Sequence, residues 1–191
     1  MLTDPGDHFS GRYEVERKLK VDDLSAMRER LDALGAVPFV LGNTETDIFL
    51  DLEDGRIAQA GKSHVLRKMR PSGRVLWIVK GPGPDECIAM DLPDGTKAVA
   101  MLSALGFRER SRLTKARDIF FVGDCHVTLD HVESLGAFVE VAAMTDDRDA
   151  LGDLAARVAD VIAQLGLGGH APVEHSYLEM LTGSQKSGSD S

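Results

Sequence analysis

Six residues near the start of the chain, Tyr13-Glu14-Val15-Glu16-Arg17-Lys18, constrain its fold more than any other stretch. In a β-strand successive side chains leave by opposite faces, so Glu14, Glu16 and Lys18, with Lys20 beyond them, share one face. Tyr13, Val15, Arg17 and Leu19 take the other. Two carboxylates and then an ammonium in strict alternation are the groups that bind a hard cation and an anion together. A single strand of this kind is more often a solvated edge with a weak ion pair. The later strands decide between the two readings.

Residues 46–51 have strand character and end in the turn Glu53-Asp54-Gly55. Residues 64–70 and 74–80 form a hairpin about Pro71-Ser72-Gly73. A short strand over 87–90 follows the loop Gly81-Pro82-Gly83-Pro84, and residues 113–122, 126–132 and 137–143 make an antiparallel meander. Between them lie helical patterns. Asp22 and Asp23 cap a stripe of Leu24, Met27, Leu31 and Leu34 that stops at Gly35, and a second helix centres on Val99, Leu102 and Leu105. Leu151, Leu154, Val158, Ile162 and Leu165 form a third stripe, and residues 174–181 a last short helix. The 191 residues suit one domain over 11–182, with a flexible N-terminus over 1–10 and a Gly/Ser-rich disordered tail over 183–191.

Strand after strand carries a charge on one face. Arg67 and Lys80 stand among apolar neighbours, Lys115 and Arg117 share a face, His126, Thr128 and Asp130 share another, and Glu140 lies between Val139 and Val141. Strands with one apolar and one charged face predict an α+β fold: an antiparallel, eight-stranded, closed tunnel-like β-barrel with helices packed outside and a polar lumen. Burying so many charges only to hold a barrel together is expensive, because each desolvated ion costs several kcal/mol. A tunnel that binds a polyanion and its metals is the better reading. Lys18, Arg67, Lys80, Lys115 and Arg117 suit a triphosphate, and Glu14, Glu16, Asp130 and Glu140 suit one or two hard divalent cations.

Composition narrows the partners. With 31 acidic against 22 basic residues the net charge of −9 repels nucleic acid and an anionic membrane surface. The first ten residues have no apolar core, so no signal peptide or membrane span is expected and the location expected is cytoplasmic. Cys87 and Cys125 lack metal-binding spacing and are expected as unpaired thiols. Trp77, on a face with Val75 and Val79, is expected in the core. Neither GxxxxGK[ST] nor GxGxxG occurs, so phosphate binding must use side chains.

The ordered set resembles the CYTH, or triphosphate tunnel metalloenzyme, superfamily, and within it the compact bacterial class IV adenylyl cyclases. The resemblance runs over Glu-Val-Glu-Arg-Lys at 14–18, Asp-Ile-Phe-Leu-Asp at 47–51, Val-Leu-Arg at 65–67 and Leu-Trp-Ile-Val-Lys-Gly-Pro-Gly at 76–83. It continues through Lys115-x-Arg117, Phe-Phe-Val-Gly at 120–123, Leu-Gly-x-Phe-x-Glu at 135–140 and Ser-Tyr-Leu at 176–178. It implies a homodimeric enzyme that converts ATP to 3′,5′-cyclic AMP and pyrophosphate with Mg²⁺ or Mn²⁺. Glu14, Glu16 and Glu140 would then be the metal residues, and Lys18, Arg67, Lys80, Lys115 and Arg117 the triphosphate clamp. Glu14, Glu16, Lys18 and Asp130 would be the catalytic set, with Glu14 the candidate general base ahead of His126. Where many relatives carry Arg-x-Glu, this chain has Glu86-Cys87-Ile88. The alternatives are a triphosphatase of the same superfamily, acting on thiamine triphosphate or inorganic triphosphate, and a non-catalytic nucleotide or polyphosphate binding module. Glu16→Ala and Glu140→Ala are each expected to abolish metal-dependent turnover while leaving the circular dichroism spectrum unchanged; wild-type rates in either variant would refute the metal assignment.

Overall fold

The structure, a computed structural model, describes residues 11–183. The flexible N-terminus and nearly all of the tail expected above therefore lie outside the described residues. Gly183 itself is the left-handed C-cap of the last helix, at φ 67°.

Eight strands alternate with five helices: β1 (Tyr13–Val21), α1 (Leu24–Ala33), β2 (Val37–Leu52), α2 (Arg56–Gln59), β3 (Ser63–Arg70), β4 (Val75–Lys80) and β5 (Cys87–Asp91). They continue with α3 (Gly95–Ala104), β6 (Phe107–Val122), β7 (Cys125–Val132), β8 (Gly136–Thr145), α4 (Leu151–Gln164) and α5 (Tyr177–Thr182). The elements agree in kind and order with the sequence reading, except that the one-turn helix α2 has no counterpart there and that β2 and β6 are each 16 residues long. The first half of β2 hides behind Pro38 and Gly42 and two register shifts, which break the period-two pattern. In β6 the run Phe107 to Arg112 is charged and largely solvent-facing, so it carries no apolar alternation.

All pairings are antiparallel, in the order β1-β8-β7-β6-β2-β3-β4-β5. Register, not loop geometry, brings the charges together. Lys18 and Thr128 both lie opposite Glu140, Arg117 opposite Asp130, Glu45 opposite Lys115, and Asp47 opposite Arg67.

The expected closed barrel is corrected to an open, curled half-barrel. Its edge strands β1 and β5 share no ladder, only the isolated bridge between Tyr13 and Glu86. Around that bridge the Glu14 N–H donates to the Asp85 carbonyl at 2.7 Å and the Cys87 N–H to the Arg12 carbonyl at 3.0 Å. β5 has five residues against nine in β1, and the loop before it takes up the rest of the edge. That loop starts at Gly81, whose φ of +86° and 2.2 Å approach of an added Cβ to the Gly61 carbonyl admit no side chain.

The apolar faces are covered from outside. Val15, Leu19, Val127, Leu129, Val139 and Val141 pack under α1 and α4, which contribute Met27, Leu31, Leu154, Val158 and Ile162. Asp23 caps α1 by accepting the Ser25 N–H at 2.7 Å. On the other flank Ile48, Leu50 and Leu66 meet Leu102 of α3, with Trp77 against them as expected. A smaller apolar cluster that includes Val65, Ile78 and Cys87 fills part of the concave side, and Met144 of β8 packs against it, a contact that the curl makes possible. Among the described residues no helix is long and apolar enough to cross a membrane.

Candidate active site

The concave face of the sheet carries two adjoining sets of paired charges. Arg67 donates from Nε to Asp47 Oδ1 at 2.7 Å and from a terminal nitrogen to Oδ2 at 2.9 Å, a bidentate fork. Its Nε also lies 3.2 Å from Glu45 Oε2, and Lys115 stands 3.5 Å from both Glu45 and Asp47. Arg117 grips Asp130, with Nε to Oδ1 at 2.6 Å, and also binds Glu140 and approaches Glu45 at 3.7 Å. Lys18 reaches Glu140 at 3.5 Å and the His175 carbonyl at 3.4 Å. Lys80 holds Glu14 at 2.7 Å and Glu16 at 3.2 Å.

Every sequence-predicted site residue therefore belongs to these charge pairs, some lining a cleft and some not. Glu14, Glu16, Lys18 and Lys80 line a cleft of about 340 Å³ at the β1–β5 edge, bounded on its far side by residues 172–176. Arg67, Lys115, Arg117, Asp130 and Glu140 are not among the residues that line this cleft, and all five are buried, as are Glu14 and Lys18. Both oxygens of Asp130 are engaged, by Arg117 and by the Tyr177 hydroxyl at 2.9 Å. His126 is buried beside Glu14, 3.9 Å from its Oε1, whereas His131 faces outward. Of the segment that departs from Arg-x-Glu, only Cys87 packs inward, in the apolar cluster opposite Lys80; Glu86 turns back to accept the Gly83 N–H at 3.2 Å, and Ile88 is exposed.

Sequence reading missed Glu45, whose side chain is fully buried among three bases, and left Asp47 as a motif residue without a role. The signal was there. Asn43, Glu45 and Asp47 recur at a spacing of two, and the Asn43 amide donates to Glu45 at 3.1 Å, but a strand begun at residue 46 cuts the pattern in half.

Electrostatics divide the acids into two kinds. Burial alone would raise the Glu140 carboxyl, but Arg117 and Lys18 hold it well below the usual carboxylate range. Glu45 and Asp47 are depressed in the same way by Arg67, Lys115 and Arg117, and Glu14, despite its burial, by Lys80. Glu16 goes the other way: burial and the negative charges of Glu140 and Glu14 raise it in spite of Lys80. His126 is lowered, chiefly by burial, and so stays neutral beside Glu14. Burial and Glu14 push the Cys87 thiol up to about 12, so it is no nucleophile at neutral pH.

With Glu45 and Asp47 included, six acids face five bases, so the network carries an excess of negative charge before any ligand arrives. Among the described residues no three His, Cys, Asp or Glu side chains are grouped as a ready metal site. The donor chemistry nevertheless fits a hard cation. Glu14, Glu16 and Glu140 are near enough for mutual repulsion to raise Glu16, and Lys80 holds two of them by a single ammonium that a cation could replace.

The CYTH domain family profile matches residues 12–177, and the chain belongs to that family. Among individual proteins, it is 44% identical to the adenylate cyclase CyaB of Aeromonas hydrophila over 160 residues, which is 84% of each chain. A solved structure from Vibrio parahaemolyticus, designated provisionally as an adenylate cyclase, superposes with a TM-score of 0.85 at 35% identity, covering 91% of this chain and 99% of the other. A Hippeastrum protein described as having a dominant triphosphatase activity shares the fold, with a TM-score of 0.64 at 16% identity over 90% of this chain and 96% of that one.

The depressed acids make stability depend on pH with a definite sign. A carboxylate whose folded pKa lies below its ordinary value stabilises the fold above that value, and the stabilisation is lost as the pH falls through the folded pKa. Glu14, Glu45, Asp47 and Glu140 act in this sense and Glu16 alone in the opposite one. The melting temperature is expected to fall steadily once the pH drops below the ordinary glutamate value of 4.5. A thermal melting series from neutral pH downward checks this, and a melting temperature that stays flat or rises on acidification would contradict the ion-pair network.

Proposed function

We propose that the protein is a class IV adenylyl cyclase that closes ATP to 3′,5′-cyclic AMP and releases pyrophosphate. The observation that carries the proposal is the set of five bases and six acids on the concave face of a chain so similar to the Aeromonas cyclase. The chemistry asks for little covalent help. The ribose 3′-oxygen forms a bond to the α-phosphorus, the bond from that phosphorus to the β-phosphate oxygen breaks in line, and its electron pair leaves on pyrophosphate. What accelerates such a step is fixed geometry and neutralised charge.

Lys18 and Lys80, at the cleft, would meet the triphosphate first, and Arg67, Lys115 and Arg117 would take the charge that develops on the leaving pyrophosphate. In this reading Asp130, held by Arg117 and Tyr177, orients the clamp from below rather than touching the substrate. Glu14 would accept the proton of the 3′-hydroxyl, with neutral His126 behind it. Because the network is already acidic, a polyanion must enter with cations. Glu14, Glu16 and Glu140 would hold Mg²⁺ or Mn²⁺, which when bound supplies charge neutralisation and lowers the pKa of a coordinated hydroxyl. The resemblance also implies a homodimer, for which sedimentation is expected to give twice the 20.7 kDa chain mass; a purely monomeric species would refute it.

A triphosphatase remains the second reading, favoured by one observation: the Hippeastrum protein carries that activity on the same fold. The same pocket could direct water at the γ-phosphorus. Product analysis after incubation with ATP and Mn²⁺ separates the readings. Cyclic AMP with pyrophosphate is expected; ADP with phosphate would establish the triphosphatase, and unchanged ATP would refute both.

A further inference from the structure

Tyr177 is the first residue of α5, and a capping box fixes the direction in which it leaves the helix. Ser176 Oγ accepts the Glu179 N–H at 3.2 Å while the Glu179 carboxylate takes the Ser176 N–H at 2.8 Å. The side chain runs into the charged lumen and is 6% exposed. Its ring packs edge-on against Phe138 at 5.1 Å between centroids. Its face lies under two ammonium groups, Lys18 Nζ at 4.2 Å and Lys115 Nζ at 5.5 Å from the centroid. Its hydroxyl donates to Asp130 at 2.9 Å.

These two lysines differ from the other bases of the network. Arg67 and Lys80 each have a carboxylate oxygen at 2.7 Å, whereas the carboxylate contacts of Lys18 and Lys115 are all at 3.5 Å. An aromatic face attracts a cation through its quadrupole, by about 0.5–2 kcal/mol, without cancelling its charge. It can therefore hold an ammonium in a dry lumen and leave its field available to an incoming anion.

We propose that Tyr177 is a positioning residue of the polyanion site, its ring aiming Lys18 and Lys115 into the lumen and its hydroxyl orienting Asp130 and, through it, Arg117. Burial, with the nearby charges of Glu140 and Asp130, keeps the phenol protonated, so the hydroxyl acts only as a donor. The role needs no contact with the ligand, and it gives the C-terminal helix a part in a site built otherwise from strands. It rests on the reading of the lumen as a triphosphate site.

Calorimetric titration of the full chain with inorganic tripolyphosphate, in buffer holding Mg²⁺ in excess of the anion, tests it without relying on turnover. Tyr177→Phe, which keeps the ring, is expected to bind within about threefold of wild type, and Tyr177→Leu to bind about tenfold more weakly, the size of a lost pair of cation–π contacts. Tyr177→Met, a flexible filler of the same space, replaces the leucine variant if that one melts early. Equal affinity in wild type and the ringless variants would overturn the proposal, as would a loss in Tyr177→Phe as large as in Tyr177→Leu. Absence of any tripolyphosphate binding by wild type would instead overturn the polyanion reading itself.

Discussion

The structure depends on the pairing of charges that are too deeply placed to be left single. Arg117 illustrates it: buried, it lies against Asp130, Glu140 and Glu45 at once, and each of those acids is buried as well. A carboxylate or guanidinium moved from water into such surroundings costs several kcal/mol unless its partners are close and its hydrogen bonds are filled. The consequence is a lattice in which the bases share several acids: Arg117 lies against three, and Lys80 and Lys115 against two each. The curl of the sheet is therefore held from inside by polar groups and from outside by the apolar faces under α1, α3 and α4.

This lattice joins the two uses of the lumen. An internal ion-pair network and a polyanion site are often treated as competing explanations for buried charge; under the proposed function the same residues would serve both. In the ligand-free arrangement acids and bases satisfy each other. In the proposed function a triphosphate with its cations would exchange those partners, the anion taking the bases and the cations taking the acids. The excess of acids makes the exchange conditional, because an anion alone would meet net repulsion. Lys80, partly exposed and spanning Glu14 and Glu16, sits where that exchange would begin.

How much of this was legible in the sequence follows from period-two patterning. Glu14, Glu16, Lys18, Lys115, Arg117 and Glu140 announce themselves because each lies on a strand whose alternate residues are apolar or of known facing. Glu45 did not, since Gly42 and the register shifts around it break the alternation before the strand becomes regular. Tyr177 stands in the Ser-Tyr-Leu stretch at 176–178 without a legible role, because a single aromatic at a helix start says nothing of what it will face. The barrel was expected closed; the shortness of β5 leaves the β1 edge with one bridge and a loop.

By itself the sequence determined which residues carry charge, which face of each strand they occupy and in what order the elements follow, because side-chain alternation and capping are local properties of the chain. Only the tertiary structure decided which charges meet. Register set Arg117 opposite Asp130, the curl brought β1 toward β5, and α5 returned from the far end of the chain to lay Tyr177 beneath Lys18 and Lys115. Those are contacts between residues up to 159 positions apart in number, Lys18 and Tyr177 being the widest pair among them, and no local rule of the chain specifies them. The strand that opened the chain thus supplied the acids and the ammonium of the site, and the fold supplied the partners that give each of them its charge and its direction.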